Sequence, residues 1–545
     1  MNRLAPLFAA AALAAPVTAC VTAEGDDQPF DGEGVKTEDG KDDASALALF
    51  VDFQFRGSFV ASSSWDLRGQ VSNHLFYTIG QLNGANSVGR LDKLELIGTP
   101  TFSGGKISYE AKMPVAWGDK NNVPTSFELI LPASATSADL QRFATSYSHS
   151  CVDFGAHDVD SGSMWYYYRP LRSGCNLAAA DIYKTTATVT TSPINTTGKF
   201  AEYDKVWEDN QFNVVAIFGK YEDGATSSFD AGIDAYNDFI AEMQRELALR
   251  GTVVSTPASI PSNPGVATPQ VSWVVTAADG KTIKVNAFLT DNVTDDLNND
   301  PDFRAQYEQL STRADFIVYN GHAGLGANIR SLAQEGQWVA GQYVVVFMNG
   351  CDTYAYIDSA LNDAHRAVNA DDPNGTKYID IVSNAMPSFF ASMSGATMSL
   401  FRGLANHQDP QTYEQIFRSI SSSQVVLVSG EQDNTYIPGG GGGGGGDGSW
   451  AGMHEAGTIR KSESENFQTP TLAAGTYKFE LTGTNDADLY VRIGRAPTTT
   501  SFDCRPYKNG SNETCTVTLP AASSIYVMVR GWAQSSDWDL VGSKQ

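Results

Sequence analysis

Long apolar runs are almost missing from this 545-residue chain. The one that exists lies at the very start, which excludes a protein that crosses a bilayer several times. Positive charge is scarce as well. Thirty-seven lysines and arginines face 62 aspartates and glutamates, a formal charge of −25. A phosphate backbone would be repelled over most of such a surface, so nucleic acid is excluded as a main partner. No His-Glu-x-x-His is present for a thermolysin-type zinc site, no Gly-x-Ser-x-Gly and no phosphate-binding loop. The chain is not short of core material. Hydrophobic residues make up 42% of it and aromatics 11%, enough to exclude overall disorder, and the length predicts about three domains.

Residues 1–19 read as an export signal, with Arg3 before a short Ala-rich apolar stretch. Cys20 follows Val17-Thr18-Ala19 and resembles a bacterial lipobox, which implies a lipidated Cys20 and anchoring at the outer membrane or cell surface. An ordinary signal peptide cut near Ala19 is the alternative. Residues 20–44 then form a tether. Positions 21–44 hold nine acidic residues and two lysines, with almost no large apolar side chain to offset ordering entropy.

Six cysteines are present. With Cys20 assigned to the signal, Cys151 and Cys175 form one plausible disulfide of an exported protein, and Cys504 and Cys515 another. Cys351 is left over.

Residues 45–195 read as an all-β domain, with alternating runs at 50–55, 106–111 and 127–131. The aromatic run from Met164 to Pro170 reads as core around the first disulfide, or else as a sugar or peptide contact. Residues 196–438 alternate apolar strands with helices. Ile233, Tyr236, Ile240, Met243 and Leu247 make one helical stripe. This pattern predicts an α/β domain with a mostly parallel sheet covered on both faces. Residues 439–456 are a Gly-rich linker opening on eight glycines. Residues 457–545 are β-rich again.

Two strand ends carry the chemistry. One apolar strand runs out through Tyr319-Asn320 into Gly321-His322-Ala323-Gly324. Another runs out through Met348-Asn349 into Gly350-Cys351-Asp352. Parallel neighbours would open on the same edge of the sheet, where α/β folds place ligands. An imidazole beside a thiol favours the thiolate nucleophile and can protonate a leaving amine.

The pair resembles the caspase-like cysteine peptidases, most closely the gingipain-like branch, in order, spacing and character over residues 205–430. The resemblance implies Cys351 as nucleophile and His322 as general acid/base. Backbone N–H groups of Ala323, Gly324 and Cys351 would form the oxyanion site. Ala323 stands where that family usually has Gly, which shifts the donor toward Gly324. The expected activity is a surface-anchored cysteine endopeptidase acting on protein or peptide substrates, with no metal or organic cofactor required. Asp352, Asp358 and Asp380 are candidates for holding a basic substrate side chain, or are solvated loop carboxylates.

The C-terminal segment resembles the bacterial pre-peptidase C-terminal domain, a small β-sandwich, through Asn485-Asp486-Ala487-Asp488-Leu489-Tyr490-Val491-Arg492, Cys504-Arg505-Pro506-Tyr507 and Trp532–Leu540. Asp486 and Asp488 are candidates for a structural calcium, with an Asn/Asp turn as the alternative. The competing reading of the whole chain is a non-catalytic surface lipoprotein that binds carbohydrate or protein through its β domains.

Overall fold

The computed structural model describes residues 42–545 except 155, 157, 158, 432, 433, 435, 437, 439–449, 451, 470, 471, 473, 521 and 522. The signal segment, Cys20 and the glycine run therefore lie outside the described residues. The protein is multidomain and strongly β-rich, with several sheets and a β-sandwich at its C-terminal end. Among the described residues no helix is long and apolar enough to cross a membrane.

The central feature is a nine-stranded sheet. Five neighbouring strands run parallel, in the spatial order Thr282–Thr290, Gln211–Gly219, Phe316–Asn320, Val344–Asn349 and Ile379–Asn384. The flanking pairings are antiparallel, so the sheet is mixed rather than mostly parallel. One of these antiparallel pairings follows from a short connection. Asp279-Gly280 turns Gln270–Ala277 directly back into Thr282–Thr290, and a four-residue connection cannot make a parallel crossover.

Strands Phe316–Asn320 and Val344–Asn349 are apolar up to their terminal Asn because both faces are buried. Phe316 and Val318 face one layer, where helices Ala231–Arg250 and Phe390–Ala405 pack. Ile317 and Tyr319 face the other, where Phe303, Tyr307, Ile329 and Leu332 pack from the helices on that side. Helix Ala231–Arg250 starts where Asp230 accepts from the Gly232 and Ile233 amides. It buries all five residues of its predicted stripe, each contributing roughly 1.5–3 kcal/mol of transfer free energy.

The N-terminal unit corrects the all-β expectation. Its seven-stranded antiparallel sheet contains the long pair Leu49–Val60 and Lys106–Trp117. Two helices, Leu67–Asn83 and Ser137–Tyr147, accompany that sheet. The first buries Val71, His74, Leu75, Thr78, Ile79 and Leu82, a 3–4 spacing that defines a helical face. The second opens on Thr136, whose side chain caps the Asp139 amide. Phe50, Ile79, Val88 and Ala116 of this unit share a core with the central sheet. The end of the expected tether also belongs to the fold. Asp42 and Asp43 are buried, and Ala44–Ser45 pairs with Val426–Gly430 at the sheet edge.

Both expected disulfides are present, Cys151–Cys175 and Cys504–Cys515, and Cys351 is free. The C-terminal unit is a sandwich of a four-stranded and a three-stranded sheet around Tyr477, Phe479, Leu489, Val491, Val527 and Leu540.

Candidate functional site

The strands Phe316–Asn320 and Val344–Asn349 are parallel neighbours in register, Asn320 opposite Asn349. The loops carrying His322 and Cys351 therefore leave the same edge of the sheet. They run so close together that a Cβ on Gly350 would lie 2.7 Å from the Gly321 carbonyl oxygen. Glycine at 350 is thus a packing requirement.

Beneath these loops lies a buried amide network. Asn320, Asn349 and Asn384 end three adjacent parallel strands, and all three are fully buried. The Asn349 amide donates to Asn320 Oδ1 at 2.8 Å. Asn349 Oδ1 accepts from Asn384 at 3.0 Å and from the Ser388 hydroxyl at 2.9 Å. The Asn384 amide also donates to the Gly350 carbonyl at 3.2 Å, and Thr397 donates to Asn320 Oδ1 at 2.9 Å. Sequence reading passed over these residues. The signal was available in three strand-like runs that each end in Asn, where buried polar groups need partners.

Above the network the two candidate residues take different partners. His322 is exposed, and its Nε2 lies 3.0 Å from the Tyr221 carbonyl oxygen. Its ring centroid stands 5.3 Å from Tyr221 and 5.1 Å from Phe390. Its own carbonyl accepts from the Tyr319 hydroxyl at 2.9 Å and the Asn328 amide at 2.6 Å. Ala323 is buried, and Gly324 takes a left-handed φ of 57° to start the turn into helix Ala327–Glu335.

Cys351 is partly buried. Its Sγ approaches the Ser388 carbonyl at 3.5 Å and the hydroxyl of Tyr166. Burial and the neighbouring Asp352 charge push the thiol up to about 11. Asp352 is itself buried, pushed up to about 7 by burial, and hydrogen-bonded by Tyr166 and Asn83. Arg169 binds Asn83 in turn and pairs with Asp153 at 3.2 Å. The aromatic run of the N-terminal unit is therefore more than core around the disulfide, since Tyr166 reaches across to Cys351.

The acidic candidates for a basic substrate side chain do not converge. Asp380 is fully buried. It pairs with Lys199 at 2.9 Å and accepts from the Tyr343 and Tyr413 hydroxyls at 2.7 Å each. Asp358 pairs with Arg330 at 3.4 Å. Neither Asp352 nor Asp380 is a solvated edge group.

Among the described residues no cluster of three or more His, Cys, Asp or Glu side chains is placed to hold a metal ion. At the calcium candidates, Asp488 is committed to Arg505 at 2.8 Å, and Asp486 Oδ1 accepts from the Gly510 amide at 3.0 Å.

Residues 466–531 match the bacterial pre-peptidase C-terminal domain family, and that part of the chain belongs to it. The curated relatives align over short stretches. The virulence metalloprotease of Vibrio anguillarum is 47% identical over 75 residues, 13% of this chain and 12% of that protein. The zinc metalloprotease of Helicobacter pylori is 42% identical over 74 residues, 13% of this chain and 29% of that protein. The alkaline serine exoprotease A of Vibrio alginolyticus is 48% identical over 54 residues, 10% of each chain. This chain thus spans only a small part of the length of the curated relatives it matches. A solved structure titled "Solution structure of vEP C-ter 100" is 35% identical, covers 15% of this chain and 83% of that one, and has a TM-score of 0.14.

These names overturn the expectation of a cysteine endopeptidase working through a Cys351–His322 dyad, since relatives that share the C-terminal domain are named metalloproteases and a serine exoprotease. The contacts of Cys351, to the Ser388 carbonyl and the Tyr166 hydroxyl, accord with that correction. A thiol held near 11 is not ionised at neutral pH, and the thiolate is the nucleophile.

Proposed function

We propose that this chain is an exported bacterial peptidase acting on protein substrates outside the cell. The observation that carries the reading is the domain at residues 466–531, which relatives with metal and with serine chemistry both possess. A domain shared across two catalytic chemistries tracks the extracellular peptidase role rather than a mechanism. The working crevice in this reading is the carboxyl edge of the central sheet, where ligands bind in open α/β sheets. We assign proton handling there to His322, an exposed imidazole on a strand-end loop braced from below by Tyr319 and Asn328. Anchoring through a lipidated Cys20 completes the proposal. A Cys20→Ser protein that still fractionates with membranes overturns that part.

The test is digestion of a denatured protein by the purified chain, repeated with a metal chelator, a serine-directed fluorophosphonate and a thiol-directed alkylator. Cleavage is expected, with one reagent abolishing it and so naming the chemistry. His322→Ala is expected to lower the rate by about 100-fold or more, the usual worth of an acid–base group. Absence of cleavage of any protein substrate overturns the reading.

A further inference from the structure

We infer that the aromatic surface at this edge of the sheet selects a large apolar or aromatic substrate side chain beside the scissile bond. This rests on the peptidase reading above and names its substrate class. Two loops at the sheet edge and the start of helix Phe390–Ala405 bring Tyr221, His322 and Phe390 into a closed aromatic triangle. The ring centroids stand 5.3, 5.1 and 5.5 Å apart. Tyr221 is 43% exposed and His322 is exposed, while Phe390 is buried at 9% and backs them; its chain neighbour Phe389 is 60% exposed. Phe229, at the far end of the loop that carries Tyr221, is almost wholly exposed.

Aromatic rings gathered on a surface beside a reactive group are costly to leave in water, and they pack edge to face with another ring. The loop that presents Tyr221 is held in place. Asp230 accepts from the Tyr221 and Glu222 amides at 3.0 and 2.8 Å, while Asp291 accepts from Gly224 and pairs with Lys220. The surface is therefore pre-shaped, which lowers the ordering cost of binding.

Charge points the same way. A basic side chain needs a carboxylate to receive it, and Asp352, Asp380 and Asp358 are already engaged by Asn83 and Tyr166, by Lys199, and by Arg330. Glu222 and Asp223 are exposed on the Tyr221 loop. There water and salt screen them, so they bias approach more than they fix a side chain.

The experiment is digestion of a peptide library by the full chain, with products read by mass spectrometry. Beside it, equilibrium binding of N-acetyl-phenylalaninamide and N-acetyl-lysinamide is followed by NMR. Cleavage beside Phe, Tyr, Leu or Met is expected at least about tenfold faster than beside Lys, Arg, Asp or Glu, within the range an apolar pocket can discriminate. The double variant Tyr221→Ser, Phe389→Ser is expected to reduce that preference to under about threefold, read as the ratio of the two cleavage rates whatever the total rate. Equal or faster cleavage beside Lys or Arg overturns the inference and leaves the peptidase reading standing. If no peptide is cut, the peptidase reading fails. The binding arm then decides the pocket: phenylalaninamide preferred supports it, no preference overturns it.

Discussion

Asn320 and Asn349 face each other at the last register position of two parallel strands, joined by a 2.8 Å bond from one side-chain amide to the other side-chain oxygen. The bond lies directly under the loops that present His322 and Cys351. Asn349 also serves Asn384 and Ser388. Asn349→Leu would strip a partner from four buried polar side chains at once, Asn320, Asn384, Ser388 and Gln424, each lost bond costing about 1–3 kcal/mol where nothing replaces it. We expect a loss of about 3 kcal/mol or more, read as a lower urea midpoint with an unchanged slope. A loss under about 1 kcal/mol would show that the network is structurally idle.

Asp380 leads to a second prediction. Its carboxylate lies in the sheet interior against Lys199, with Glu431 and Asp43 also facing that ammonium. Asp380→Ala leaves Lys199 buried without its closest counter-charge, and breaking such a pair costs about 3–5 kcal/mol. Replacing both residues with apolar ones is expected to cost less than the single change. Equal losses would mean that the pair, rather than the orphaned charge, carries the energy.

Strands Phe316–Asn320 and Val344–Asn349 were legible because burial on both faces makes them apolar up to the terminal Asn, and the stripe from Ile233 to Leu247 was legible because its period is helical. The helix Leu67–Asn83 was missed although Val71, His74, Leu75, Thr78, Ile79 and Leu82 carry that same period. A His and a Thr on the buried face, and glycines at 69 and 80, mask it. Asp380 read as an edge carboxylate because its partner Lys199 lies far off in the chain, and long-range pairing leaves no local pattern. Cys351 read as reactive because the sequence does not show that Tyr166 comes from another unit to meet it.

That meeting is itself testable. Burial pushes the Cys351 thiol up to about 11, so at pH 8 only about one thiol in a thousand is ionised. Iodoacetamide labelling of Cys351, followed by mass spectrometry, is expected to be slow at pH 8 and to climb only toward pH 10 and above. Tyr166→Ala removes the covering ring and is expected to speed labelling about tenfold or more. Rapid labelling of the unmodified protein at pH 7 would contradict the burial.

The carboxyls around Lys199 predict a pH dependence. Burial and the Asp204 charge push Glu202 up to about 7, and burial with Asp42 does the same for Asp43. Glu431, sharing a hydrogen bond with Glu202, is raised as well. Between roughly pH 4.5 and 7 the folded protein holds protons that the unfolded chain has released, so these groups make stability fall as pH rises through that window. Glu202→Gln cannot titrate. Its stability is expected to decline less than that of the unmodified protein from about pH 5 to 7 in parallel urea titrations. Curves that run parallel would mean Glu202 keeps an ordinary carboxylate in the fold.

Gly350 separates the positioning of the two loops from the identity of their side chains. A methyl group there would meet the Gly321 carbonyl at 2.7 Å and the Ala323 nitrogen at 3.4 Å, both backbone atoms that cannot swing aside. Gly350→Ala must therefore push the His322 loop away from the Cys351 loop. Such overpacking costs about 1–3 kcal/mol, a loss that leaves a protein of ordinary stability folded. A displacement of an ångström at a working site can cost about 100-fold in rate. We therefore expect Gly350→Ala to remain folded by circular dichroism, to lose most of its hydrolysis, and to regain none of it on stabilisation by salt or osmolyte. Full activity in the folded variant would show that the spacing of these loops is not what the reaction requires, and would move the working site away from this edge of the sheet.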